Sequence, residues 1–205
     1  MKITKKLVKE IDRLLSFGLV RGLGKPKPGK MCVEALICKV LGEEHSDSPS
    51  CVALAVKEFK IILNDACWSS NMARAEGIRD LAIAQLGSIN IDTYKFNNIV
   101  AKETIKQLLP RIAQLLKKNH GIDLSKAAAR CKKEGSKKTA LAFKMAAYAY
   151  TDDATTDSVA ASVAASAAYA SASYASATAD EILILAAKIG LKALKACKSP
   201  GVKFI

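Results

Sequence analysis

The sequence contains few aromatic residues and no pattern typical of β-structure. Phe, Trp and Tyr make up 5% of the 205 residues, and there is one tryptophan. No two alternating apolar runs are joined by Asn-Gly or a similar turn, which argues against β-hairpins. Alanine supplies much of the 50% of residues that are hydrophobic, and it has the highest helix propensity. The sequence therefore predicts an all-α protein whose helices pack closely around small side chains.

Acidic residues are scarce relative to basic ones. The chain has 19 Asp/Glu and 32 Lys/Arg, which gives a formal net charge of +13. The excess is local, because residues 101–150 contain twelve Lys/Arg and three Asp/Glu. Such a charge excess favours an acidic partner, whether nucleic acid, an acidic protein surface or an anionic membrane.

Signals for export and for membrane insertion are also lacking. The first residues, MKITKKLVKEIDRLL, have no continuous apolar run of the kind found in secretory signals. Residues 158–179 carry no charge, but they contain no Leu, Ile or Phe to drive insertion into a bilayer. We therefore expect a cytoplasmic protein without a membrane span, whose six cysteines are reduced.

Helical periodicity predicts one α-helical domain of about eight helices that spans residues 1–205. Helices with a mixed core are predicted in 1–121, and basic helices in 122–150. Residues 151–198 predict an Ala/Ser-rich helix followed by a C-terminal helix, and 199–205 form a tail.

Capping residues and prolines predict where several of these helices begin. Ser48-Pro49 has the pattern of an N-cap followed by a first-turn proline, and Asp180-Glu181 is typical of a helix start. Asp92 and Ser136 are predicted N-caps. Pro110 is expected to kink or split the helix that contains it.

The stretch GLGKPKPGKMC at residues 22–32 partly resembles a phosphate-binding loop. Gly24, Gly29 and Lys30 have the spacing of that signature, but Met31 stands where a Ser or Thr would hold magnesium. Two prolines also remove backbone N–H donors from the loop. The stretch is better interpreted as a stiff, basic turn between two helices.

Cys32 is the residue that an enzymatic interpretation would use. It is predicted in the first turn of a helix, where the dipole and nearby lysines stabilise a thiolate, and His45 with Asp47 could complete a triad. Cys32, His45 and Cys51 could alternatively bind zinc, although their spacings are wider than usual for zinc sites. A buried structural cysteine is the simpler interpretation, so we predict no catalytic residue, no metal site and no cofactor.

The basic helices carry the clearest functional pattern. Lys126, Arg130 and Lys133 recur at i, i+4 and i+7 and so share one helical face. Further basic residues flank this stripe: Lys117, Lys118, Lys132, Lys137 and Lys138. No aromatic residue is interleaved with them, which favours contact with a phosphate backbone over stacking on bases. The alternative is a solvated basic face without a partner.

Several stretches together resemble a family of uncharacterised bacterial and phage proteins. They are GLGKPKPGKMCVEA at 22–35, WSSNMARAEGIRDLAIAQLGS at 68–88, the Ala/Ser/Tyr block, and SPGVKF at 199–204. The resemblance implies no known activity, cofactor or site residue. A phage accessory protein that inhibits a nucleic-acid-based host defence would suit it.

The sequence thus predicts a non-enzymatic binding protein whose basic helices contact nucleic acid or an acidic protein. Two alternatives from other classes stay open at this point. One is a cysteine-dependent hydrolase or transferase that uses Cys32 and His45. The other is a structural protein that forms homo-oligomers through the uncharged helix predicted at Ser158–Ala179.

Overall fold

The computed structural model describes residues 2–148 and 176–205, and the regular secondary structure of this part of the chain is all helical. The α-helices are α1 (Lys5–Leu15), α2 (Val33–Leu41), α3 (Leu54–Asp65), α4 (Asn71–Ala84), α5 (Thr93–Glu103), α6 (Leu109–His120), α7 (Ser125–Glu134), α8 (Lys137–Tyr148) and α9 (Ser176–Ala196). Short 3₁₀ segments cover Ser88–Asn90 and Pro200–Phe204. The predicted all-α fold is confirmed.

Helices α5 and α6 form one continuous rod. A π-helical turn at Thr104–Leu108 joins them, and Pro110 follows within the first turn of α6. Because Pro110 has no N–H, it cannot donate to the carbonyl of Lys106, and a π turn absorbs this irregularity. The kink or split expected at Pro110 therefore takes the form of a π-helical turn within a continuous helix. With α5 and α6 counted as one rod, the described residues form eight helices, as predicted.

Two predicted helix starts are wrong. Helix α3 begins at Leu54, whereas Ser48 and Pro49 lie in the preceding loop. That loop is fixed by distant partners, since the Ala53 N–H donates to Ser88 Oγ at 3.2 Å. The last helix is already helical at Ser176, so Asp180 lies inside it. Most of the Ala/Ser-rich helix predicted at 158–179 lies outside the described residues.

Helices α4 and α9 lie at the centre of the fold and approach each other closely. Helix α9 also packs on α3 and α5, and α4 also packs on α1 and α2. Gly77 in α4 faces the Trp68 ring, since a Cβ there would lie 2.4 Å from that ring. Gly190 in α9 faces Phe59 in the same way, at 2.5 Å. The small residues thus make room for the few aromatic ones.

The C-terminal segment predicted as a tail is packed against the end of α4. Ser199 Oγ donates to the carbonyl of Ala84 at 2.6 Å, and the Gly201 N–H donates to that of Leu86 at 3.0 Å. Both Ser199 and Gly201 are buried. Among the described residues, no helix combines the length and apolar composition that a bilayer crossing requires.

Candidate nucleic-acid interface

The basic residues singled out from the sequence lie on three neighbouring helices. Helix α7 packs against α6 on one side and α8 on the other, so these helices present a shared surface. All eight side chains are exposed: Lys117, Lys118, Lys126, Arg130, Lys132, Lys133, Lys137 and Lys138. We call these eight residues the basic surface.

Helix α7 directs its basic stripe away from the core. Ala128 and Cys131 are buried and face the neighbouring helices. With 100° between successive residues, Lys126, Arg130 and Lys133 project from the opposite side of the helix. The spacing seen in the sequence therefore becomes an exposed row of three positive charges.

The acidic residues within this region are already engaged by basic ones. Residues 117–138 contain two acids, Asp123 and Glu134. Lys117 Nζ donates to Asp123 Oδ2 at 2.7 Å, and this bond holds the pKa of Asp123 well below its usual range. Arg130 Nε lies 3.9 Å from Glu134 Oε1. Six of the eight basic side chains thus remain without an ion pair among the described residues.

The start of α8 adds to the positive potential. Ser136 caps this helix, because its Oγ accepts the Thr139 N–H at 3.3 Å, and the predicted cap is confirmed. Lys137 and Lys138 occupy the first turn, where the helix dipole is also positive. Two lysines at this position are electrostatically unfavourable on their own, and a bound anion would relieve that repulsion.

Cys32 is not activated in the way the sequence suggested. Its side chain is 4% exposed, and its Sγ accepts the Ala35 N–H at 3.3 Å as the N-cap of α2. Burial raises the pKa of this thiol and so opposes the effect of the nearby helix dipole. His45 Nε2 forms a hydrogen bond of 3.2 Å with the carbonyl of Gly24. The loop that contains His45 therefore does approach the loop preceding Cys32.

The residues considered as zinc ligands are either buried or hydrogen-bonded to the backbone. Cys32 and Cys51 are buried, while His45 is engaged with the backbone. Burial likewise raises the pKa of Cys51. In the part of the chain that the structure describes, no three His, Cys, Asp or Glu residues are placed to hold a metal ion.

A buried polar cluster joins α2, α3 and α4 and was not anticipated from the sequence. Lys60 Nζ lies 3.2 Å from Glu34 Oε1, and both side chains are fully buried. Gln85 Nε2 donates to Glu34 Oε2 at 3.1 Å. Burial raises the pKa of Glu34 and lowers that of Lys60, and each residue partly opposes the shift of the other. We call these three residues the buried triad.

A groove between α4 and α9 has the opposite charge to the basic surface. It encloses about 340 Å³ and has an apolar floor that includes Ile184. Glu76, Asp80 and Asp180 lie along it, with Lys188 as its basic residue. This arrangement disfavours binding of a polyanion in the groove.

Comparison of the chain with protein families and curated proteins, and of its fold with solved structures, finds no match. The resemblance to uncharacterised phage and bacterial proteins therefore stays a prediction.

Proposed function

We propose that this protein binds nucleic acid through the basic surface, by contacts to the phosphate backbone. The observation that carries the proposal is the exposure of all eight basic side chains on adjoining helices, with both local acids already engaged. A linear polyanion can lie along such a row of charges and release its counterions.

The composition of the surface favours contacts that do not depend on base sequence. Seven of the eight residues are lysines, which act as point charges, and Arg130 is the only arginine. No Phe, Tyr or Trp lies among residues 117–138, so the surface lacks the aromatic rings on which single-stranded bases usually stack. The proposed binding is therefore weakly selective for sequence and accommodates duplexes.

The expected strength can be worked out from the number of free charges. If about four to six lysines contact phosphates, log Kobs falls with log[salt] with a slope of about −4 to −5. Raising the salt concentration from about 50 to about 200 mM would then weaken binding by two to three orders of magnitude.

The phage accessory role stays part of the proposal, since a protein that covers nucleic acid would obstruct nucleases that act on it.

The test compares two triple variants that lose the same charge. Lys126→Gln/Arg130→Gln/Lys133→Gln removes the stripe on α7, and Lys9→Gln/Lys188→Gln/Lys195→Gln removes three exposed lysines elsewhere. Gln has nearly the helix propensity of Lys and Arg, so both variants are expected to fold.

The expected result is a large loss of affinity for a short DNA duplex in the α7 variant and little change in the control. Equal losses in both would mean that only net charge matters, and the proposed interface would be wrong. If neither DNA nor RNA binds at low salt but an acidic protein does, the acidic-partner alternative replaces the proposal.

A further inference from the structure

The loop at residues 21–30, between α1 and α2, is more ordered than a simple connector. The Lys25 N–H donates to the carbonyl of Lys30 at 2.6 Å, and the Cys32 N–H donates to that of Leu23 at 3.2 Å. Gly24 and Met31 form an isolated antiparallel bridge. Pro26 and Pro28 further restrict the backbone. The loop is thus a short, stiff projection, which we call the lysine loop.

Side chains of the helical core fix the base of the lysine loop. Arg74 is 6% exposed, and its Nη1 donates to the carbonyl of Leu19 at 2.9 Å. The Gly22 N–H donates to Asp65 Oδ1 at 2.8 Å, and His45 forms its hydrogen bond with Gly24. The projection is therefore held in one orientation before any ligand arrives, which lowers the entropic cost of binding.

The lysine loop carries charge of one sign. Arg21, Lys25, Lys27 and Lys30 are exposed, and residues 21–30 contain no acid. Asp65 is the carboxylate that contacts the loop, and it accepts hydrogen bonds from Gly22 and from Asn64 Nδ2. Four positive charges thus project from a fixed backbone.

An exposed aromatic side chain lies beside this charge. Phe17 is 53% exposed, and its backbone lies against Gly29: a Cβ on Gly29 would be 2.7 Å from the Phe17 carbonyl oxygen. Gly29 has a φ of +70°, a conformation that glycine adopts without strain. Glycine at this position allows the lysine loop to approach Phe17 closely.

We propose that Phe17 and the lysine loop form a second site, which binds single-stranded nucleic acid. An unpaired base would stack on the Phe17 ring while Lys27 and Lys30 contact the adjoining phosphates. A duplex hides its base faces, so stacking of this kind selects single strands. The combination of ring and charge distinguishes this site from the basic surface.

An anionic membrane is the other partner that mixed apolar and basic side chains can bind. The lysine loop suits it less well, because its exposed residues Lys25, Pro26, Lys27 and Pro28 include no large apolar side chain. Insertion into a membrane would require large apolar side chains there. Two exposed apolar side chains, Phe17 and Leu23, accompany these residues, which is less than such insertion requires.

The test uses Phe17→Leu, with Tyr94→Leu as the matched control. Tyr94 is also an exposed aromatic residue, 78% exposed on α5, and lies outside both proposed sites. Affinities of the full chain would be measured for a single-stranded oligonucleotide of about 16 nucleotides and for a duplex. Vesicles containing phosphatidylserine provide the membrane comparison.

We expect Phe17→Leu to bind the single strand about 5- to 150-fold more weakly, the effect of losing one stacked base, with duplex binding unchanged. Lys25→Gln/Lys27→Gln/Lys30→Gln should reduce the salt slope for the single strand by about 2. The proposal is overturned if Phe17→Leu behaves like Tyr94→Leu, or if only vesicle binding falls. If the α7 triple variant abolishes single-strand binding while Phe17→Leu and the lysine-loop triple variant retain it, the second site is wrong and the basic surface stands.

Discussion

Removal of the Lys60 amine is expected to destabilise the fold strongly, although the substitution makes the core more apolar. In Lys60→Met the carboxylate of Glu34 stays fully buried without its ion-pair partner at 3.2 Å. Leaving one member of a buried pair uncompensated costs about 3–5 kcal/mol. In a chain of this length that corresponds to a fall in Tm of about 6–20 °C.

Replacing the whole buried triad should recover most of that loss. In Glu34→Leu/Lys60→Met/Gln85→Met neither charge of the buried triad remains, and such apolar replacements are often neutral or stabilising by about 1–4 kcal/mol. Thermal unfolding followed by circular dichroism at pH 7 measures both variants. The reasoning is refuted if Lys60→Met loses less than about 1 kcal/mol, or if the triple variant is no more stable than Lys60→Met.

The pH dependence of Lys60→Met provides a second check on the same argument. Lys60 lowers the pKa of Glu34, so its removal raises that pKa further above the usual value of 4.5. The folded variant then holds a proton that the unfolded chain releases, and stability falls as the pH rises from about 4.5 through the folded-state pKa. Lowering the pH from 7 to 5 should therefore raise the free energy of unfolding of Lys60→Met by up to about 2.7 kcal/mol more than that of the triple variant. Equal pH profiles would contradict this account of Glu34.

Three further predictions concern single positions. Asp92→Ala should lower the free energy of unfolding by about 1 kcal/mol and Asp92→Asn by less, since a side-chain oxygen caps α5; chemical denaturation measures both. Gly201→Ala should lower the free energy of unfolding by about 1–3 kcal/mol, because a Cβ there would lie 2.1 Å from the Ile83 carbonyl oxygen. Thermal unfolding measures this loss, and an unchanged Tm would mean that the C-terminal segment is only loosely attached. Alkylation at neutral pH followed by peptide mass spectrometry should label the exposed Cys67 first, and preferential labelling of Cys32 would instead support the cysteine-enzyme alternative.

Features that depend on nearby residues could be predicted from the sequence. Asp92 caps α5 through the N–H of Lys95, three residues away, and Ser136 caps α8 in the same way. The stripe on α7 follows from helical periodicity alone. These parts of the fold and of the basic surface needed no knowledge of tertiary contacts.

Features that depend on distant partners could not be predicted. Ser48-Pro49 has the local chemistry of a helix start, but Ala53 farther along the loop donates its N–H to Ser88 Oγ, and α3 begins only at Leu54. Lys60 lies at a core position of α3, and its charge becomes compatible with burial only through Glu34 on α2 and Gln85 at the C-terminal end of α4. The raised pKa of Cys32 likewise reflects burial, which the position of a cysteine in a helix does not reveal.

The most direct test of the central claim is the salt dependence of duplex DNA binding by the wild-type chain and by Lys126→Gln/Arg130→Gln/Lys133→Gln. If these three side chains contact phosphates, the variant's slope of log Kobs against log[salt] should be shallower by about 2.7. Parallel slopes with equal affinities would show that the stripe on α7 does not contact nucleic acid.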